Sequence, residues 1–162
     1  MNYAFSYSYS YSDEFRMVGD DYSDFLHTCN CYCSYFSFCV YSDDSYYIPT
    51  TERWKQFLMT YCVPKPAQCE DDSKGGPSQR VWFICSPESV QALQQFEKSI
   101  FNLMDICDYN NPYSIEFERS DGSIFAYCHA DDGLCWVEPK PDEDISLLLK
   151  NKHWLQHNWE LE

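Results

Sequence analysis

The chain has 162 residues, which is enough for one domain with its own hydrophobic core. It contains 26 acidic residues against 11 lysines and arginines, for a formal net charge of -15, and 19% of its residues are aromatic. Such a charge repels nucleic acid and anionic membranes, so it argues against a direct nucleic-acid or lipid binder and favours a basic protein as the partner.

The negative charge is concentrated at the two ends of the chain. Residues 1–50 carry a net charge of -6, residues 51–98 carry none, and residues 99–162 carry -9. The acids either serve solubility alone, or the two ends of the chain meet in the fold and form one acidic face.

Ten cysteines raise the question of the redox compartment. The N-terminus shows neither the basic nor the apolar segment of a signal peptide, and no apolar run reaches the length of a membrane span. We therefore expect a cytoplasmic protein, in the host cytoplasm if it is phage-encoded. Its cysteines should stay reduced and pack as small apolar side chains.

Alternating residues predict two strands near the N-terminus. From Asn2 to Ser12 aromatic residues alternate with small ones, which is typical of a half-buried strand. A second run of this kind covers Thr28–Tyr41. We expect the two runs to pair with each other, or to be two strands with a loop of their own, with Gly19 marking a turn in the acidic connection.

The middle of the chain predicts two helices, a loop and a buried strand. Apolar residues repeat at helical spacing from Glu52 to Tyr61. Residues 63–79 are rich in proline and glycine and predict a flexible loop. The apolar run Val81–Cys85 predicts a buried central strand, and Ser86 then caps a second helix whose apolar stripe continues to about residue 107.

The last third of the chain predicts a β-meander and a final helix. The three strands are Tyr113–Arg119, Ser123–Ala130 and Leu134–Glu138, the turns are Asp121-Gly122 and Asp132-Gly133, and the helix runs from Ile145 to about Lys152. Because no βαβ unit repeats, we predict a single α+β domain over residues 1–162. Its mainly antiparallel sheet would combine an N-terminal strand pair with the C-terminal meander, packed with two or three helices.

Acidic residues on the meander are the first candidates for a binding site. Glu116 and Glu118, two residues apart on a predicted strand, should project from one exposed face about 7 Å apart. Carboxylates would steer a basic partner and tyrosine rings would anchor it. The other partner-binding candidates are acids and tyrosines in predicted loops and turns: Asp20, Asp21, Tyr22, Asp43, Asp44, Tyr46, Tyr47, Asp121, Asp131 and Asp132.

The cysteines suggest an alternative class, a small zinc-dependent or thiol-dependent module. Cys29, Cys31 and Cys33 would point the same way on a strand, but about 7 Å apart, which is too far for one tetrahedral ion without a bend. A thiol enzyme could instead use Cys85, at the start of a helix, with His129 as its base. We predict no metal, no cofactor and no catalytic residue.

The favoured hypothesis is therefore a non-catalytic acidic inhibitor. It would bind and occlude the basic, nucleic-acid-binding site of a nuclease or other effector, by nucleic-acid mimicry for example. Toxin-immunity proteins and phage anti-defence proteins, anti-CRISPR proteins among them, act in this way as classes. The analogy is one of size, charge and composition, without a family motif. A structural subunit of a larger assembly is a further alternative.

Overall fold

The structure is a computed structural model and describes residues 1–5, 17–41, 52–70, 78–96, 98–100, 114–129 and 134–157. Within these residues the chain forms four helices and one eight-stranded sheet in which every strand pair is antiparallel. The predicted α+β class with a mainly antiparallel sheet is confirmed.

The strands are β1 (Asn2–Phe5), β2 (Tyr35–Tyr41), β3 (Cys62–Val63), β4 (Ser78–Ile84), β5 (Ser114–Glu118), β6 (Ile124–His129), β7 (Leu134–Val137) and β8 (Trp154–His157). The helices are α1 (Asp20–Tyr32), α2 (Glu52–Tyr61), α3 (Pro87–Phe96) and α4 (Ser146–Leu149). The strands lie in the order β3-β4-β2-β5-β6-β7-β1-β8.

The predicted pairing of two N-terminal strands is wrong. β1 lies between β7 and β8, and β2 lies between β4 and β5. The run predicted as a strand from Thr28 is helical as far as Tyr32, because α1 buries Tyr22, Phe25, Leu26 and Cys29 at helical spacing. This stripe outweighs the two-residue alternation of the cysteines. Residues 6–12 of the first predicted strand lie outside the described residues.

Other predicted elements are confirmed in part, and α3 ends at Phe96 rather than near residue 107. α2 has the predicted bounds. α3 starts at Pro87 after the predicted cap, and the cap is reciprocal: Ser89 N donates to Ser86 Oγ at 3.2 Å, and Ser86 N donates to Ser89 Oγ at 3.0 Å. α4 is a single turn, shorter than predicted. β4 is a strand, but it lies second from the edge of the sheet and leaves Ile84 44% exposed, so it is not a fully buried central strand.

One face of the sheet carries the aromatic core. Phe36 of β2, Phe83 of β4 and Phe117 of β5 are fully buried there. From the helix layer, Phe25 of α1 meets Phe117 edge-on at 5.5 Å, and Phe57 of α2 lies 5.3 Å from Phe83. Each such ring contributes about 2–3 kcal/mol by leaving water. Successive residues of a strand point to opposite faces of the sheet, so the residues that alternate with these phenylalanines point away from the helices.

The β5–β6 hairpin turn allows another segment of the chain to approach the sheet face opposite the aromatic core. Gly122 adopts φ 84°, a left-handed conformation that side chains disfavour. A Cβ atom at this position would also clash with the backbone carbonyl of Gln68. The turn therefore needs glycine for its own geometry and for the close approach of residues 64–70, which we call the strap.

Candidate partner-binding site

A buried polar network lies on the sheet face opposite the aromatic core. Arg80 of β4 donates to Ser37 Oγ on β2 at 3.0 Å and to Ser114 Oγ on β5 at 3.1 Å. Its Nη2 atom also lies 3.0 Å from Glu116 Oε1 on β5. Three adjacent strands are thus joined through one guanidinium, which satisfies several buried polar groups together.

Glu118 is held by neutral donors. Its Oε1 atom accepts hydrogen bonds from Ser37 Oγ at 2.7 Å and from Trp82 Nε1 at 3.1 Å. Since Ser37 receives its own hydrogen bond from Arg80, the guanidinium, the hydroxyl and the carboxylate form one chain. Such a chain polarises its members and fixes the side chains of the strands that carry them.

The expected exposure of Glu116 and Glu118 is wrong. The two side chains share one face of β5 as predicted, but the residues are only 5% and 2% exposed. A sheet with helices on one side would leave the other side in water, yet here the strap lies over it. Burial of paired charges is costly unless every group is bonded. Reversing both charges should therefore unfold the protein, so loss of binding in that variant would not report on the site.

The strap packs on the polar face through Gln68 and Cys69. Gln68 Nε2 donates to the carbonyl of Ser120 in the hairpin turn at 3.0 Å. Cys69 is 3% exposed, and its thiol is hydrogen-bonded to Glu118. Burial, together with that carboxylate, raises the pKa of the Cys69 thiol to about 12. The thiol therefore acts as a neutral donor that helps to satisfy Glu118. The predicted loop at 63–79 is thus anchored over its described first part.

Asp121 stands exposed at the hairpin tip, as predicted. Its Oδ1 atom accepts hydrogen bonds from the amide and hydroxyl of Ser123 at 2.9 and 2.6 Å, and its Oδ2 atom lies 2.6 Å from Lys140 Nζ. The hydrogen bonds from Lys140 and then Ser123 hold the pKa of Asp121 well below its usual range. The carboxylate stays charged, but Lys140 offsets part of its field.

A cavity of about 470 Å³ opens between the strap and the hairpin. Five of the nine residues that line it are acids: Glu70, Glu116, Glu118, Asp121 and Glu138. Glu70 and Glu138 are exposed at the rim, and neither has a cationic partner among the described residues. The cavity therefore combines hydrogen-bonded carboxylates at its base with negative charge at its mouth that has no cationic partner in the described part of the chain, an arrangement that attracts a cationic group.

A buried ion pair between Arg119 and Glu143 stabilises the part of the cavity rim that contains Glu138. Arg119, next to the hairpin, donates two hydrogen bonds of 2.7 Å to the Glu143 carboxylate. Its Nη2 atom also donates to the Glu138 carbonyl at 2.7 Å. Burial raises the pKa of Glu143, but the hydrogen bonds from Arg119 and from the Lys140 amide outweigh it, so the pKa lies below its usual value. Bidentate geometry of this kind holds the Glu138 segment against the hairpin.

The structure brings together only some of the predicted site residues. Asp121 shares the cavity with the two meander glutamates, whereas Asp20 and Asp21 lie in the first turn of α1, in the helix layer on the other side of the sheet. Tyr22 is 1% exposed and belongs to the core, so its prediction as a surface anchor is wrong. The remaining candidates lie outside the described residues: Asp43, Asp44, Tyr46, Tyr47, Asp131 and Asp132.

Sequence reasoning did not identify Arg80, the cation of the network, or the rim residues Glu70 and Glu138. Arg80 is the centre of the network, and it lies one residue before the predicted strand Val81–Cys85, in a part of β4 that was not predicted as strand. Glu70 lies in the predicted loop over residues 63–79, and Glu138 is the last residue of a predicted strand. Nothing local in the sequence places either residue beside Asp121, because the strap and the hairpin meet only through tertiary contacts.

The predicted zinc alternative fails on geometry. Cys29 lies inside α1 and Cys33 caps its C-terminus, both buried, while Cys31 between them is exposed. Residues two apart on a helix point in nearly opposite directions, so the three thiols do not converge. Within the described ranges, no group of three or more His, Cys, Asp or Glu side chains could hold a metal ion.

Cys85 lacks the environment of a reactive thiol. It is buried directly after β4, and burial raises the pKa of its thiol to about 12. An activated nucleophile needs the opposite shift. Its proposed base, His129, is the last residue of β6.

No family model, curated protein or solved structure matches this chain. None of the helices in the described ranges combines the length and the apolar character that a membrane span requires. Function is therefore inferred from the site and the charge.

Proposed function

We propose that this protein is a non-catalytic acidic inhibitor that binds and occludes the basic, nucleic-acid-binding surface of a partner protein. The observation that carries the proposal is the acid-lined cavity with unpaired carboxylates at its mouth, on a chain with a net charge of -15. A lysine or arginine of the partner would enter the cavity, and the surrounding negative charge would steer the approach.

The paired and unpaired acids have different roles in this proposal. Glu116 and Glu118 are already bonded and buried, so they shape the base of the cavity. The contacts to the partner come from Glu70 and Glu138 at the rim, and Asp121, which is paired with Lys140, lines the cavity with them. The described residues contain thirteen acids and nine lysines and arginines, so most of the net charge belongs to the rest of the chain and adds to the long-range attraction.

Capture from a lysate of the natural host tests the proposal. Immobilised wild type should retain a basic nucleic-acid-handling protein at low salt and release it as the salt concentration rises. The rim variant Glu70→Gln/Glu138→Gln should retain much less of it.

The matched control is Glu52→Gln/Glu88→Gln, which removes the same charge from exposed positions on α2 and α3. This control should capture the partner almost as well as wild type. Equal capture by the rim variant and the control, or capture that is indifferent to salt, would rule out the rim as the binding device.

A further inference from the structure

Cys128 and Cys135 face each other inside the core. They occupy directly opposite positions on β6 and β7, and their Sγ atoms lie 2.7 Å apart. Both residues are free thiols and at most 1% exposed. The pair lies on the helix side of the sheet, away from the acidic cavity, so it is independent of the proposed binding function.

The position of the pair in the ladder explains the close approach. Glu138 N donates to the carbonyl of Phe125, the residue opposite it in the same register. Hydrogen-bonded and non-hydrogen-bonded pairs alternate along an antiparallel ladder, so Cys128 and Cys135, three steps further on, form a non-hydrogen-bonded pair. The Cα atoms of such a pair are about 4.5 Å apart, within the range that a disulfide spans without backbone movement.

We propose that Cys128 and Cys135 form a redox-active dithiol that closes to a disulfide when a small-molecule disulfide is the oxidant. One cysteine attacks the oxidant, forms a mixed disulfide and releases one small thiol. The other cysteine attacks the mixed disulfide and releases the second. The two cysteines lose two protons and two electrons, and the oxidant gains both and becomes two thiols.

The consequence of closure is a covalent link between β6 and β7. β7 also pairs with β1, and β1 pairs with β8. The link would therefore hold β7 in place, and β7 joins β1 and β8 to the rest of the sheet. Burial raises the pKa of Cys135, which keeps the thiol protonated in the closed core. The reaction should therefore proceed when β7 opens, and mild denaturant should accelerate it.

Oxidation by glutathione disulfide tests the pair directly. Reduced protein is equilibrated with excess glutathione disulfide in mild denaturant, alkylated and digested. We expect the cross-linked peptide that joins residues 128 and 135 to be the dominant disulfide product. The unfolding temperature of the oxidised protein should be higher by about 3 °C or more, and a reducing agent should reverse the shift.

Two variants separate pairing from general thiol oxidation. Cys31→Ser, at an exposed position, should leave the cross-link and the temperature shift unchanged. Cys135→Ser should abolish both. Recovery of alkylated Cys128 and Cys135 from oxidised wild type, or an equal yield of links to other cysteines, would overturn the proposal without recourse to any variant.

Discussion

Arg80 on β4 forms an ion pair with Glu116 on β5 across the intervening strand β2, with 3.0 Å between Nη2 and Oε1. Neighbouring strands lie about 4.8 Å apart, so only long side chains can meet over a strand between them. Both side chains are buried, at 4% and 7% exposed. The base of the acidic cavity is therefore a connected network of buried side chains whose charges depend on one another.

Removal of the cation should destabilise the protein strongly. Arg80→Met leaves Glu116 charged and buried without its partner, and we expect the free energy of unfolding to fall by about 3–5 kcal/mol. Urea unfolding followed by tryptophan fluorescence measures the loss. The double variant Arg80→Met/Glu116→Met removes both charges and should lose much less. A loss below about 1 kcal/mol for the single variant would show that the pair contributes little.

Gly122→Ala should displace the strap. The substitution forces a side chain into φ 84° and against the Gln68 carbonyl, so both the turn and the strap must shift. Gly19→Ala is the matched control, because Gly19 has φ 59° but open space around it. Each variant should lose about 1–3 kcal/mol of stability through backbone strain. Only Gly122→Ala should accelerate hydrogen exchange of the Cys69 amide, which donates to Pro66. Equal exchange rates in both variants would contradict the contact.

The Arg119–Glu143 pair predicts a specific acid sensitivity. The pKa of Glu143 in the folded protein lies below the ordinary value of 4.5. Its contribution to stability is therefore fully present above about pH 4.5 and is lost as the pH falls through the lower folded value. Stability measured from pH 7 to pH 3 should decline less steeply in Glu143→Gln than in wild type. A steeper decline in the variant would mean that the sign of the shift is wrong.

Single cysteine replacements distinguish packing from metal binding on α1. Cys29→Ser buries a hydroxyl in the core and should lose about 1–3 kcal/mol, whereas Cys31→Ser at the exposed position should change stability by less than about 0.5 kcal/mol. Unfolding midpoints measured with and without a chelator provide the comparison. Equal losses in the two variants, together with zinc released on unfolding, would support the zinc alternative.

Elements with strong local signals could be predicted from the sequence. The apolar stripe of α2 predicts both ends of that helix, the cap before Pro87 predicts the start of α3, and the Asp121-Gly122 turn predicts the β5–β6 hairpin. The sequence around Cys29 fits two patterns, because three cysteines alternate as in a strand while apolar residues repeat as in a helix. The helix forms because it buries the apolar stripe in the core.

The site was less predictable because its partners are distant in sequence. Arg80 and Glu116 lie on different strands with α3 between them in the sequence, so nothing local showed that Glu116 has a cation to satisfy it when buried. The two-residue alternation of a strand placed Glu116 and Glu118 correctly on one face of β5. That face is buried because the strap packs over it, which the alternation does not show. The prediction of Tyr22 as a surface anchor was wrong for a related reason, since tyrosine packs in a core as readily as at an interface.

Competition with nucleic acid tests the proposed occlusion most directly. The captured partner is titrated with this protein at increasing concentrations of the nucleic acid that it binds, and the apparent Kd is measured at each concentration. If the acidic protein covers the nucleic-acid-binding surface, the apparent Kd should rise in proportion to the nucleic-acid concentration. An unchanged Kd, with a ternary complex of the two proteins and the nucleic acid, would contradict the proposed function.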